Sequence, residues 1–207
     1  MNQIAVTPQE ITPKLRQIIE AAEQLFLSQG YGAVSMDQVA RTANVSKATL
    51  YAYFPSKDAL FATIVRSKGF DNPFTEDMFP DTVTDLRAAL EEIGMRMLHF
   101  MLRERTLSIY RIALAEAARF PELGAAFYDN GPRSMFARFS RWIEHLRASG
   151  LVHARDCDLA AEQFCALVRS GVFIRRSLAL PPTASEAEIT ATVAAAADTW
   201  MKAFAPR

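Results

Sequence analysis

The stretch SMDQVARTANVSKATLYAYFPSKDAL, residues 35–60, limits what this chain can fold into more than any other. Ser35 is a good N-cap and Gln38, three positions on, completes a capping box, so a helix starts near Met36 with Val39, Ala40 and Ala43 on one face. Asn44 tolerates the left-handed backbone of a tight interhelical turn, Val45 gives that turn an apolar plug, and Ser46 caps a second helix from Lys47. With successive residues about 100° apart, Leu50 and Phe54 fall on one side of this helix, while Ala48, Thr49 and Ala52 point away, flanked by Tyr53. The pair makes a helix-turn-helix at about 35–54, whose second member presents the small, polar face that fits a DNA major groove. Pro55 stops it and Ser56 caps a third helix at Lys57. A cation in a first helical turn opposes the helix dipole, so the sequence reading gives Lys57 a phosphate partner.

The flanks supply a scaffold. Met1 to Pro13 reads as a flexible lead. From Lys14 to Gln29, Leu15, Ile18, Ile19, Ala22, Leu25 and Phe26 recur every three and four residues, which predicts an amphipathic helix ended by Gly30 and Gly32. Its apolar face would cover the back of the helix-turn-helix. Lys14 and Arg16 are within reach of a phosphate, though solvated surface is the plainer reading. The helix from Lys57, with Leu60, Phe61, Ile64 and Val65 apolar, would link this reader to a body. Gly69 to Asp81 breaks the pattern and marks the boundary between a domain at 12–68 and another at 80–207.

Beyond the boundary every pattern is helical. Helices are predicted from Asp81 or Thr82 to Leu102, Leu107 to Arg119, Pro121 to Tyr128 and Pro132 to Ala148. Asp158 caps a long one to Arg176; Ser185 starts the last, with Glu188 completing a capping box. The fold class is therefore all-α.

Lys plus Arg equal Asp plus Glu at 23 each, so overall charge points to no partner. Residues 1–68 hold seven basic and five acidic residues, an excess of the right sign for a DNA-facing front but a small one. Cys157 and Cys165 lack disulfide or zinc spacing. There is no Gly-rich phosphate loop, GxSxG turn or HExxH, and His99, His145 and His153 are scattered singly, so neither an enzyme, a metal nor a cofactor is expected. Without a leader-like start or an apolar run of ~18 residues, the expectation is a soluble cytoplasmic protein.

The run ANVSKATLYAYFPSKDALF, preceded by an amphipathic helix and SMDQVA, closely resembles the DNA-binding end of the tetracycline-repressor-like (TetR/AcrR) family of bacterial transcriptional regulators. It departs from the commonest pattern at Asn44 and Ala48, where glycine is frequent; Ala48 would then alter which bases are accepted. The segment IALAEAARFPELGAAFYDNGP resembles the effector domain of the AefR-like branch. The resemblance implies a three-helix DNA-binding domain followed by a helical effector-binding and dimerisation domain. It implies a homodimer, paired through its last two long helices, that binds double-stranded palindromic operator DNA and releases it when a small molecule enters the body. On matching positions, Thr49 and Ala48 would lie against base edges, with Ala48 and Ala52 small enough to meet a thymine methyl. Lys47, Tyr51, Tyr53 and Lys57 would hold phosphates, as would Ser35 or Met36 through backbone amides, with Ser46 at the cap of the reading helix. Tyr51 lies near the inward face by projection, so core is its alternative reading. The rival to the whole account is a helical protein-interaction module whose helix-turn-helix is structural.

In the body, aromatic residues at helical spacing are by default core. This applies to Phe70, Phe74 and Phe79 as to the rest. The functional reading is a cavity for an apolar or aromatic effector, lined by His99, Phe100, Tyr110, Arg111, Phe136, Trp142, Arg169 and Phe173. Arg169 interrupts an apolar helix and would pair with an acidic effector or a partner subunit, a snorkelling surface arginine being the alternative. Thr192 to Ala197, with four alanines in a row, would let paired helices approach closely, with Trp200 and Phe204 as anchors.

Overall fold

Residues 12–66 and 78–206 are described in a computed structural model, and no strand occurs among them. The expected lead up to residue 11, Phe70, Phe74 and most of the expected boundary lie outside the described residues. The described chain divides into two compact units, residues 12–66 with 112–130, and residues 78–111 with 131–206. The first unit is therefore discontinuous, where the sequence suggested one contiguous domain at 12–68.

In the first unit, helix α1 (Pro13–Gln29) starts where Thr12 Oγ1 accepts a hydrogen bond from the Leu15 amide at 3.2 Å. It ends at Gly30, whose φ of 80° an L side chain rarely adopts. The predicted stripe from Leu15 to Phe26 is buried. Tyr31 follows, also buried, its ring centroid 5.3 Å from Phe26, 5.6 Å from Phe61 and 5.3 Å from Phe120. Helices α2 (Met36–Thr42) and α3 (Lys47–Tyr53) stand where the caps place them, joined through Asn44 at φ 48°. Helix α4 (Lys57–Arg66) buries Leu60, Phe61, Ile64 and Val65. The unit is completed by the end of α6 (Glu104–Glu116) and by α7 (Pro121–Asn130), which packs along α4.

The second unit holds α5 (Leu86–Leu102), the start of α6, α8 (Pro132–Ala148), α9 (Cys157–Val168), α10 (Gly171–Ser177) and α11 (Glu186–Phe204). Helices α5, α9 and α11 pack together, and α8 lies along α9. Phe139, Phe164 and Trp200 fill the centre, with the indole of Trp200 donating to the Ala160 carbonyl at 2.9 Å. The α5–α11 approach is close because residue 94 has no side chain: a Cβ there would sit 2.7 Å from Val193 Cγ1.

Three local expectations are corrected. Helix α5 starts at Leu86 rather than Asp81 or Thr82, because the Asp85 carboxylate takes the Ala88 amide at 3.0 Å and acts as the cap. The long helix expected from Asp158 starts at Cys157 under Asp156, and it breaks at Arg169–Ser170 into α9 and α10, with Ser170 extended ahead of Gly171. Neither capping box closes: Ser35 and Ser185 accept the expected amides, but Gln38 donates to Gln29 at 2.8 Å and Glu188 accepts from Arg175 at 2.8 Å. Both side chains were drawn from the helix start to a tertiary partner.

Candidate nucleic-acid interface

The two faces of α3 differ sharply. Leu50 has no exposure and Phe54 is 4% exposed, so they anchor the helix to the unit behind it. Burying a leucine fully is worth about 1.5–3 kcal/mol. Lys47, Ala48, Tyr51, Ala52 and Tyr53 are exposed and Thr49 is half-buried. Tyr51 is 50% exposed, so the alternative of a core residue is set aside: the projection put it near the boundary of the buried stripe, and the neighbours do not cover it. Ser46 Oγ accepts from the Thr49 amide at 3.0 Å and lies 2.8 Å from Thr49 Oγ1, which ties the threonine hydroxyl to the helix start. Ser35 is exposed at the start of α2 with its hydroxyl on the Gln38 amide at 3.2 Å.

Lys47 pairs with Asp37 across the two helices, both side chains well exposed. Such a pair contributes roughly 0–1 kcal/mol, so a phosphate can replace the carboxylate at small cost. The face thus offers one exposed cation, two tyrosines and two alanines on a rigid helix.

Lys57 stands elsewhere than expected. Its Nζ donates to the carbonyls of Tyr31 at 2.7 Å and Val34 at 2.9 Å, and lies 4.2 Å from the Tyr31 ring centroid. The Phe120 ring centroid is 5.5 Å away, beside that of Tyr31. Burial pulls its pKa below the usual lysine value, against the pull of Glu116 and Glu122 in the other direction. The cation at the start of α4 does have a partner, as its position against the dipole required, but the partner is the turn between α1 and α2. Sequence reasoning missed Tyr31, Glu116 and Phe120 in this unit. Glu116 Oε1 lies 3.4 Å from the Gly32 amide, and nothing in helical periodicity relates residue 116 to residue 32.

The eight effector candidates scatter within the second unit. Tyr110, Arg169 and Phe173 converge: the two rings are 5.2 Å apart, and the Arg169 guanidinium sits 4.7 Å from the Phe173 ring with Nη2 3.3 Å from the Tyr110 hydroxyl. Arg111 instead closes the end of α10, donating to the carbonyls of Ser177 at 2.9 Å and Arg176 at 2.7 Å, and to Glu104 at 2.8 Å. Its guanidinium is committed to that carbonyl pair. Trp142 is core, its ring tilted against those of Phe79 and Phe139 at 6.0 and 5.7 Å, its indole donating to the Pro80 carbonyl at 2.9 Å. Phe100 is buried, Phe136 is half-buried against the core, and His99 faces outward, 3.3 Å from Glu186. None of the described helices is long and apolar enough to cross a membrane.

Comparison with known proteins bears on both units. The family described as bacterial regulatory proteins, tetR family, matches residues 18–64, and that described as AefR-like transcriptional repressor, C-terminal domain, matches residues 88–206. The HTH-type transcriptional regulator BetI of Rhizobium meliloti is 30% identical over 188 residues, 86% of this chain and 84% of that protein. A tetR-family regulator from Mesorhizobium loti superimposes with a TM-score of 0.80 at 27% identity, covering 93% of this chain and 97% of that one. The flavonoid-responsive regulator FrrA superimposes with a TM-score of 0.76 at 36% identity, covering 94% and 98%.

Proposed function

We propose, from the premise that this chain belongs to the TetR family of bacterial transcriptional regulators, that it is a dimeric repressor released from a palindromic operator by a small aromatic or apolar effector. The observation that carries the reading is the outward side of α3, exposed and small where a groove floor would meet it, and anchored behind by Leu50 and Phe54. Ala48, Thr49 and Ala52 lie against base edges in this reading and select the sequence. Lys47, Tyr51, Tyr53, Ser46 and Ser35 hold phosphates and set the register.

One seven-residue helix makes few base contacts, so two half-sites related by a twofold axis are needed for useful specificity. The surface we assign to the subunit contact is the open side of α9 and α11. It carries exposed Leu159 and a shallow groove of about 430 Å³ lined by Gln163, Ala166, Leu167, Thr199, Ala203 and Phe204 among others. The effector reading rests on the Tyr110–Phe173–Arg169 group, two rings and a cation suited to a planar, electron-rich molecule. The flavonoid response named for FrrA supports that class. Release follows if the effector prefers a conformation in which the two α3 helices no longer match their half-sites; a coupling of about 1–3 kcal/mol changes operator affinity roughly 5- to 150-fold.

The test is selection of bound duplexes from a random pool, followed by titration of the selected site at several salt concentrations. A palindromic product and an affinity that falls steeply with salt are expected. Salt-independent retention, or no enrichment, favours a helical protein-interaction module instead. Sedimentation of the free protein as a monomer at micromolar concentration would remove the dimer from the account.

A further inference from the structure

Lys57 is the one charged side chain of the expected DNA-contacting set that the fold turns inward. Its ammonium has three donors, and two are spent on carbonyls of the turn between α1 and α2. The rings of Tyr31 and Phe120, packed edge to face 5.3 Å apart, both lie beside it at 4.2 and 5.5 Å, a cation held against an aromatic pair. Glu116 closes the same place, near the Gly32 amide. The second carbonyl it holds, that of Val34, immediately precedes Ser35, the cap from which α2 departs. Fixing Val34 therefore fixes where α2 begins, and α3 follows α2 after a turn of only four residues, 43–46.

We propose that Lys57 is a positioning residue of the DNA reader, an internal clamp that sets the stance of α2 and α3 through the Tyr31 and Val34 carbonyls and binds no phosphate. The proposal rests on α3 being the DNA-reading helix. The inserted segment 112–130 is part of the device, because Glu116 and Phe120 cover the clamp from within the same unit. A residue that holds phosphate and a residue that holds its own backbone leave different marks on salt dependence. Losing a phosphate contact reduces the slope of log affinity against log salt by about 0.9 for each half-site, whereas losing the clamp leaves the slope alone.

The experiment compares the full-length wild type with Lys57→Met, which keeps an unbranched apolar side chain and removes the ammonium, on the selected duplex at a temperature where circular dichroism shows both folded. The expected result is an affinity lower by about 5- to 150-fold, an unchanged salt slope and an unchanged order of preference among duplexes. A slope shallower by about 1.8 over two half-sites overturns the proposal in favour of a phosphate contact. An unchanged affinity also overturns it, since a merely structural lysine alters melting temperature and not the affinity of the folded protein. A wild type with no salt dependence overturns this proposal together with the DNA reading, and so is told apart from the two results that touch Lys57 alone. Should Lys57→Met not fold, acetylation of the wild type read by mass spectrometry decides the matter. Lys57 is expected to react more slowly than Lys47 in the free protein and at the same rate with duplex bound, while duplex protects Lys47. Ready acetylation of Lys57 that duplex suppresses refutes the clamp.

Discussion

Replacing Gly94 by alanine puts a methyl group into the closest helix approach of the second unit. The new Cβ would lie 2.7 Å from Val193 Cγ1, 3.4 Å from Phe164 Cζ and 3.5 Å from Val168 Cγ2. The last two are ordinary contacts; the first is not, and relief requires Val193 to move. Val193 is buried at 1% exposure, and a β-branched side chain in a helix has one strongly preferred rotamer, so it moves only with strain or with its helix. Overpacking of this kind costs about 1–3 kcal/mol. Against it stands the gain in helix propensity on replacing glycine in a helix interior, about 1 kcal/mol. The balance is a loss of roughly 0–2 kcal/mol, centred near 1, which lowers the melting temperature by about 2–4 °C per kcal/mol in a chain of this size. Urea unfolding at fixed protein concentration measures it. The decisive form is a double-mutant cycle with Val193→Ala: trimming the obstructing methyl should remove the penalty, so the double variant is more stable than the two single losses predict by about 1–3 kcal/mol. If Gly94→Ala raises stability by the full propensity gain and the cycle is additive, the close contact is absent and the reasoning fails.

Three further outcomes follow from the same structure. Asn44, at φ 48° in the turn of the reader, should tolerate glycine with little change, whereas Asn44→Val should destabilise the protein by about 1–2 kcal/mol in the same assay. Lys47→Ala should flatten the salt dependence of operator binding by about 0.9 for each half-site, while Thr49→Val should reorder the preferred duplexes; unchanged slope and unchanged preference would clear both residues of DNA contact. Burial pushes the Cys165 thiol from 9.0 up to about 12, so the folded state favours the neutral form. That contribution is fully present below pH 9 and is lost as pH rises from there towards 12, at up to about 1.4 kcal/mol for each pH unit, and Cys165→Ala should make the alkaline fall in stability shallower, the remainder coming from Tyr31 and Cys157, whose pKa values burial also raises.

Much of the reader was legible because its signals are local. A serine cap, an asparagine turn and a proline stop act within four residues of where they stand, and α2 and α3 begin and end where these residues put them. Leu50 and Phe54 were readable as the inward side by angle alone. The reading failed where a side chain had two possible partners. Gln38 and Glu188 were set to reach back to their own helix starts and went to Gln29 and Arg175. Arg111, picked out as an effector contact, caps the end of α10. The break between α9 and α10 was invisible because Arg169–Ser170–Gly171 interrupts an apolar periodicity without a proline to announce it.

Periodicity, caps and turn residues were enough to determine an all-helical chain with a helix-turn-helix near its start and an outward face on α3, since each depends on bonds spanning three or four residues. Which segments meet was decided by tertiary structure alone. Packing brought residues 112–130 into the reader unit, set Glu116 and Phe120 over the α1–α2 turn, and gave the Lys57 ammonium two carbonyls more than twenty residues upstream. The physical reason is that a cation at a helix start needs some partner, and its local sequence states the need without saying where in the folded chain it will be met.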